Sequence, residues 1–279
     1  HRKNPSFNRP PRAPALPNPV VYHGERPWMP PSPAPSHLPP GPDPIHEVAA
    51  RLAATPVAGD RWLRGYARNK VRMDGLYPAA LPLIPPGEKV LDLGCGVGLL
   101  GLLLEARGLR NDTFGIEWDP AKARFGQRLA EGRTRTRVHC GDLFQVPWPP
   151  STVVAVLDVL HYLPAERQRD LLRRIGAHLP SGGRLLLRAM DSRSRGMAIL
   201  TRLAERAAVG LRWNLAPSIH WRPLADLQAD LAAAGFRLLA TPGMAGTMAG
   251  NQLLLCERAP EGGPGPEPPG APVGNLRVR

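Results

Sequence analysis

The residues best suited to chemistry cluster in "VLDLGCGVGLLG", from Val90 to Gly101. An apolar run ends in the acid Asp92, and Gly94, Gly96 and Gly98 then alternate with Cys95 and Val97. Residues without side chains let the backbone turn tightly and approach a ligand closely. The amides that follow open a helix, whose start is weakly positive. Such a loop suits a cofactor, and "GVGLLG" also fits the G-x-G-x-x-G of dinucleotide sites. Asp92, two residues before the first glycine, is the detail that separates one cofactor class from another. Further acids recur downstream. "GIEWDP" puts Glu117 at a spacing from Gly98 that suits ribose hydroxyls, and Trp118 beside it can lie along an adenine or at a rim. "HCGDLF" puts Asp142 where it can accept from an adenine amino group and Leu143 where it can pack on the ring; Gly-Asp is also ordinary turn chemistry. "LDVLHYLP" ends a fourth apolar run with Asp158, His161 and Tyr162, polar groups that need partners when buried.

These residues must be held by an alternation of strands and helices. Ile45–Ala54 and Asp60–Met73 read as helices, Lys89–Leu93 as a short apolar strand, and Val97–Arg107 as a helix stopped by Gly108. Thr113–Glu117 reads as a strand, and Asp119 with Pro120 starts a helix. Arg137–Cys140 and Thr152–Leu157 are strands, the latter continuously apolar as expected when both faces are covered. Pro164–Leu179 is amphipathic and ends at Pro180. A strand at Arg184–Arg188, helices at Arg195–Ala208 and Leu224–Ala234, and a strand pair at Phe236–Ala240 and Gln252–Cys256 complete the pattern. The fold class expected is α/β: a doubly wound, mostly parallel sheet with helices on both faces. Ligands of such sheets bind at the carboxyl ends of the strands, where the acids above fall.

Fifteen of the 35 prolines precede Ile45 and six lie from Pro260 onward. Proline removes a donor and clashes with a preceding helical turn, so residues 1–44 and 259–279 are expected to be flexible tails, spacers or a ligand for a proline-binding partner. The domain between them, 45–258, divides into an N-terminal helical cap (45–85), the core, and an acceptor-side insertion (190–224). The chain begins with His1 rather than Met, which leaves its true start open. No apolar run reaches the ~18 residues of a membrane span. Cys95, Cys140 and Cys256 form no C-x-x-C pair and each abuts a strand of the core, which points to reduced thiols and a cytoplasmic setting. The histidines do not cluster with acids at ligand spacing, so no metal is expected. A net charge of +13 points towards acidic partners, but no consecutive basic block appears, and the charge reads as scattered over solvated faces without a nucleic-acid signature.

Taken together, the motifs resemble the class I S-adenosylmethionine (SAM)-dependent methyltransferases over roughly 59–258. "VLDLGCGVG" is similar to their glycine-rich first motif, "GIEWDP" to the acidic end of their second strand, and "CGDLFQVPWP" to their adenine-contacting segment. "VVAVLDVLHYLP" with "LPSGGRLLLR" resembles the fourth and fifth strands, and "GFRLL" and "NQLLLCERA" the last two. The resemblance implies a seven-stranded sheet with its last strand antiparallel and SAM as cofactor. It would place Glu117 on the ribose, Asp142 on the adenine, and Gly94–Gly98 with Asp92 and Cys95 at the methionine part. "RWLRGYARNKVRMDGLYPAAL" and "HWRPLADLQADLAAAGF" are similar to a bacterial small-molecule group that accompanies aryl polyene or polyketide-like pathways. Base methyltransferases carry an N-P-P-Y-like string or a Pro-Cys nucleophile after the fourth strand; this chain has "DVLHY".

The activity expected is methyl transfer to O or C of a small-molecule acceptor, aromatic or polyketide-like, by in-line displacement, which relies chiefly on positioning. His161 is the candidate base, with Asp158 orienting it or contacting SAM. Tyr66, Tyr162, His220 and Arg222 are the candidate acceptor contacts. Tyr66 and Lys70 share a helical face, and one of Tyr66, Lys70 or Arg72 is placed to hold the SAM carboxylate. Three other readings stand beside this one: a nicotinamide-dependent oxidoreductase, a methyltransferase of RNA or protein, and a SAM-binding scaffold without turnover.

Overall fold

The computed structural model describes residues 43–55, 61–192, 219–242, 244 and 251–260. Three helices come first: α1 (Pro44–Ala54), α2 (Arg61–Met73) and α3 (Leu76–Ala80), the last running into a 3₁₀ turn at Leu81–Leu83. The alternating part follows as β1 (Lys89–Leu93), α4 (Leu99–Ala106), β2 (Asp112–Glu117), α5 (Pro120–Ala130), β3 (Thr136–Cys140) and β4 (Val153–Leu157). A 3₁₀ turn at Leu160–Tyr162 leads to α6 (Ala165–His178), β5 (Arg184–Met190), α7 (Leu224–Ala233), β6 (Phe236–Ala240) and β7 (Asn251–Arg258). The seven strands form one sheet in the order β3-β2-β1-β4-β5-β7-β6. All neighbouring pairs from β3 to β5 are parallel, and β7 runs antiparallel to both β5 and β6.

Alternation along each strand divides the core into two layers, because successive side chains point to opposite faces. Val90, Ala155 and Leu186 join Leu52, Leu103 and Phe125 on one face. Leu91, Val154 and Leu187 join Leu171, Ile175 and Leu231 on the other. Strand order reverses beside β1, between the β1–β2 and β1–β4 pairs. The crevice at a doubly wound sheet's carboxyl edge lies at that point.

Several boundaries differ from the sequence reading for local reasons. α1 begins at Pro44, inside the proline-rich stretch, because Asp43 caps it by accepting from the Ile45 N–H at 3.0 Å. α4 begins at Leu99 rather than Val97, since Gly98 is left-handed (φ +76°) and stands outside the helix. Cys140 is exposed rather than in the core, because β3 is an edge strand. All three cysteines are free thiols. The helix expected at Arg195–Ala208, most of the acceptor-side insertion and both tails lie outside the described residues.

α6 packs closely on the turn between α7 and β6. A Cβ at Gly176 would lie 2.3 Å from the Ala234 carbonyl oxygen. Alanine favours a helix over glycine by about 1 kcal/mol, whereas forcing an atom into a filled contact costs about 1–3 kcal/mol. The clash is with backbone and wins. Gly176→Ala should therefore lower stability, by up to about 2 kcal/mol, read as a lower denaturant midpoint; an unchanged or raised midpoint would show that this contact yields.

Candidate active site

The loop after β1 and the ends of β2, β3 and β4 open onto one cavity of about 360 Å³, within the range of small-molecule sites. The loop is held in shape by Glu117. One of its carboxylate oxygens accepts from the Gly96 N–H at 2.8 Å and the other from the Asp119 N–H at 2.9 Å. Burial raises the Glu117 carboxyl above its ordinary value, opposed by those same two amides. Gly94 has φ +73°, and a Cβ there would lie 2.3 Å from a Val159 methyl, so glycine is required both by conformation and by the close approach of the next loop. At Gly96 a Cβ would meet nothing within 4 Å; the space above the loop is open.

Asp92 is 3% exposed and lines the cavity floor. Burial first, and the neighbouring Glu117 charge second, push its carboxyl up to about 7, with Lys70 opposing. Cys95 also lines the floor, and its thiol is pushed well up by burial. At the end of β3, Asp142 forms a turn by accepting from the Phe144 N–H at 2.8 Å, while Asp142, Leu143 and Phe144 all line the wall. Trp118 stands at the cavity with 53% of its surface exposed.

The end of β4 is the most constrained point. Asp158 is left-handed (φ +64°) without being glycine, a sparsely populated state for a side-chain-bearing residue. Its Oδ2 receives the Lys70 ammonium at 2.5 Å and the Arg188 guanidinium at 3.0 Å. The same Arg188 nitrogen donates to Asp74 Oδ2 at 2.6 Å. Burial alone would raise the Asp158 carboxyl, but the two cations hold it below the usual carboxylate value. The ion pair raises Lys70 despite its own burial. α2, β4 and β5 are thus joined by two cations and two carboxylates.

One cavity therefore brings together Asp92, Gly94, Cys95, Gly96, Glu117, Trp118, Asp142, Leu143, Asp158, Tyr66, Lys70 and Tyr162. Other sequence-expected residues lie elsewhere. Gly98 starts α4 and is off the wall. His161 is half-buried and not a lining residue; its ring packs on Tyr162 at 4.1 Å between centroids. Burial pushes the His161 imidazole down to about 4, with Asp158 opposing. His220 and Arg222 are also off the wall. The His220 N–H donates to the His161 carbonyl at 2.7 Å, and Arg222 is engaged by Asp230 at 2.5 Å. Arg72 is exposed on α2. No metal-ligating cluster occurs among the described residues, and none of their helices is long and apolar enough to cross a membrane.

Sequence reasoning missed Arg188, Asp74, Tyr77 and Trp62. Arg188 carried a signal: a charge closing the buried run "LLLR" must find a partner. The other three carried none: Asp74 meets its partner 114 residues away, and nothing local marks Tyr77 or Trp62 as lining a cavity.

A family model described as "Methyltransferase domain" matches residues 64–241. The chain is 34% identical over 107 residues to a carboxy-S-adenosyl-L-methionine synthase of Chromohalobacter salexigens, covering 36% of this chain and 39% of that one. It is 29% identical over 163 residues to a trans-aconitate 2-methyltransferase of Pseudomonas aeruginosa, covering 52% and 56%. Among solved structures, an O-methyltransferase family 2 protein of Planctomyces limnophilus in complex with apigenin superposes with a TM-score of 0.55 at 22% identity, over 78% of this chain and 62% of that one. The magnesium protoporphyrin IX methyltransferase of Synechocystis with bound S-adenosylhomocysteine superposes at 0.54 and 17%, over 77% and 94%. The last two likenesses concern the fold. With the family model spanning most of the sheet and the acid-lined cavity at its switch point, the chain belongs to the methyltransferase-domain family.

Proposed function

We propose that the chain transfers the methyl group of SAM to an oxygen or carbon of a small-molecule acceptor. The carrying observation is convergence: the glycine loop, Glu117, Asp142 and Asp158, each at the end of a different strand, line a single cavity. The donor supplies a methyl on positively charged sulfur; the acceptor atom bonds to that carbon, the carbon–sulfur pair returns to sulfur, and the acceptor's proton leaves.

The residues suit that cofactor. Glu117 uses one bond from each oxygen on the loop, and a carboxylate oxygen accepts more than one, so acceptor capacity remains for ribose hydroxyls. Asp142 accepts one amide bond and retains capacity for an adenine amino group. Trp118, Leu143 and Phe144 offer apolar faces for the base. Asp92 lines the same cavity with a carboxylate to which no described residue donates a hydrogen bond. His161 is neutral at neutral pH and can accept a proton, with Tyr162 standing beside it on the wall. The remaining work is alignment, worth up to about 7–11 kcal/mol when reactants are held in line.

Three outcomes test this. Glu117→Ala should weaken SAM binding about 10–100-fold by calorimetry, because hydrogen bonds to a buried charged acceptor contribute about 1.5–3 kcal/mol; unchanged affinity would remove Glu117 from the site. His161→Ala should slow turnover by about 10²-fold or more with SAM affinity intact, the scale of general-base assistance; equal turnover in both proteins would remove it as base. Asp92 gives a pH dependence. Its folded value is raised, so its charge costs stability as pH rises through about 7. A cation bound beside it favours the ionised form. SAM affinity should therefore rise from about pH 6 to about pH 8, with proton release near neutrality. Flat affinity across that range, with equal heats in buffers of different ionisation enthalpy, would contradict it.

A further inference from the structure

Aromatic residues are 5% of the chain, yet six of them line this one cavity, including three of its four tyrosines. Trp118 and Phe144 belong with the acids of β2 and β3, on the adenosine side. The other four do not. Trp62 and Tyr66 come from α2, Tyr77 from α3 and Tyr162 from the turn after β4. The rings of Trp62 and Tyr66 are nearly parallel, 5.5 Å apart at 12°. They remain 50% and 37% exposed, which leaves a flat apolar surface beside the cavity. Lys70 continues the same helical stripe one turn on, at the i+4 spacing that shares a face.

Tyr77 adds a polar point to that surface. It is 6% exposed, lines the cavity, and its hydroxyl makes no hydrogen bond among the described residues. Burial keeps the phenol protonated at neutral pH, with Lys70, Asp92 and Tyr66 as its electrostatic neighbours. It is therefore a donor awaiting an oxygen. The cavity is poorly equipped for an aliphatic polyacid. Lys70 is engaged by Asp158, Lys122 lies 4.0 Å from Asp119, and Arg167 stacks 3.7 Å over Phe144. Four carboxylates, those of Asp92, Glu117, Asp142 and Asp158, line the same space.

We propose that the acceptor is a flat, conjugated hydroxyl compound, a phenol or enol, whose ring lies along the Trp62–Tyr66 face and one of whose oxygen substituents accepts from the Tyr77 hydroxyl. The proposal rests on the methyl-transfer reading above and specifies its acceptor. The acceptor's oxygen forms the new O–CH₃ bond, the carbon–sulfur bond breaks with its pair passing to sulfur, and the hydroxyl proton leaves to His161, the base proposed above. An aromatic contact of this kind adds discrimination at modest entropic cost, since the wall is already stacked.

The test uses labelled SAM and the full chain with a panel of naphthols, dihydroxynaphthalenes and flavonols set against aliphatic alcohols and trans-aconitate. Turnover is expected on the flat hydroxyl compounds. Trp62→Ala should raise the acceptor KM about tenfold while leaving the calorimetric Kd for SAM unchanged. Trp62→Phe, which keeps a flat wall, should restore most of that loss, and Tyr77→Phe should raise KM for acceptors bearing a second oxygen more than for those with one. Turnover on aliphatic acceptors alone, or none on any flat phenol while SAM binds, would overturn the acceptor assignment. So would a Trp62→Ala change that falls on SAM affinity and spares the acceptor KM, since the wall would then belong to the cofactor. Wild-type protein that fails to bind SAM would remove the methyl-transfer reading, and the acceptor with it.

Discussion

The arrangement of the cavity depends on the ion network that joins Lys70, Asp158, Arg188 and Asp74. It fastens the cap helix α2 to the ends of β4 and β5, and so decides which of its side chains face the strand ends. The network is buried enough to matter: the Arg188 side chain is 6% exposed and that of Asp74 17%. Isolated buried charges are strongly unfavourable, and removing one partner of such a pair costs about 3–5 kcal/mol. Two cations facing two carboxylates leave no net charge to bury. The same network holds Asp158 in its left-handed conformation, a strained state that surrounding contacts must sustain. A carboxylate bound by two cations is a poor proton acceptor, so Asp158 serves here by position and charge.

Three carboxylates at three strand ends show how far environment divides one chemical group. Asp158 is held charged by neighbouring cations. Glu117 is held by two backbone amides, which makes it part of the loop's architecture before any ligand arrives. Asp92 has burial and a like charge acting on it, and it alone is brought near neutrality. The same residue type therefore provides a clamp, a brace and a titrating floor. Each setting follows from what packs on the strand end: loop amides of Gly96 and Asp119 at β2, the cap helix α2 and β5 at β4, burial and the neighbouring Glu117 at β1.

What was legible in the sequence was whatever is local. The glycine loop, the acids just past β1, β2 and β3, and the strand–helix alternation are written in short strings, and the structure places those residues at one cavity. The antiparallel last strand came through family resemblance rather than periodicity. The long-range contacts were not legible. Lys70 meets Asp158 across 88 residues and Asp74 meets Arg188 across 114, and nothing in either string names its partner. Tyr77 was not singled out either: it sits in α3 and is buried at the cavity. His161, the candidate base, is not on the cavity wall: the 3₁₀ turn at Leu160–Tyr162 puts Tyr162 there and leaves His161 packed beside it. A one-residue difference in a tight turn changes the direction of a side chain, and sequence position alone does not resolve it.

The distribution of charge within the cavity has a chemical logic that the net charge of +13 conceals. At the ends of β1, β2 and β3 the wall is acidic, with Asp92, Glu117 and Asp142 and one nearby lysine, Lys122. At the end of β4 the carboxylate of Asp158 is cancelled by Lys70 and Arg188, and the wall beyond it is aromatic. The cavity therefore passes from an anionic, hydrogen-bonding end to a neutral, apolar one. A cationic, polar cofactor is oriented by such a gradient, since charge is favoured where acids are uncompensated and disfavoured where they are neutralised. Transfer of a methyl from a cation disperses charge, and dispersal is helped by surroundings of low polarity more than by a fixed opposite charge beside the reacting atoms. An unpaired Asp158 would place such a charge beside the aromatic wall. Pairing it with Lys70 and Arg188 ties the β4 edge to α2 and β5 while removing its field from the apolar wall, and this reconciles a carboxylate at that strand end with the aromatic wall proposed above as the acceptor surface.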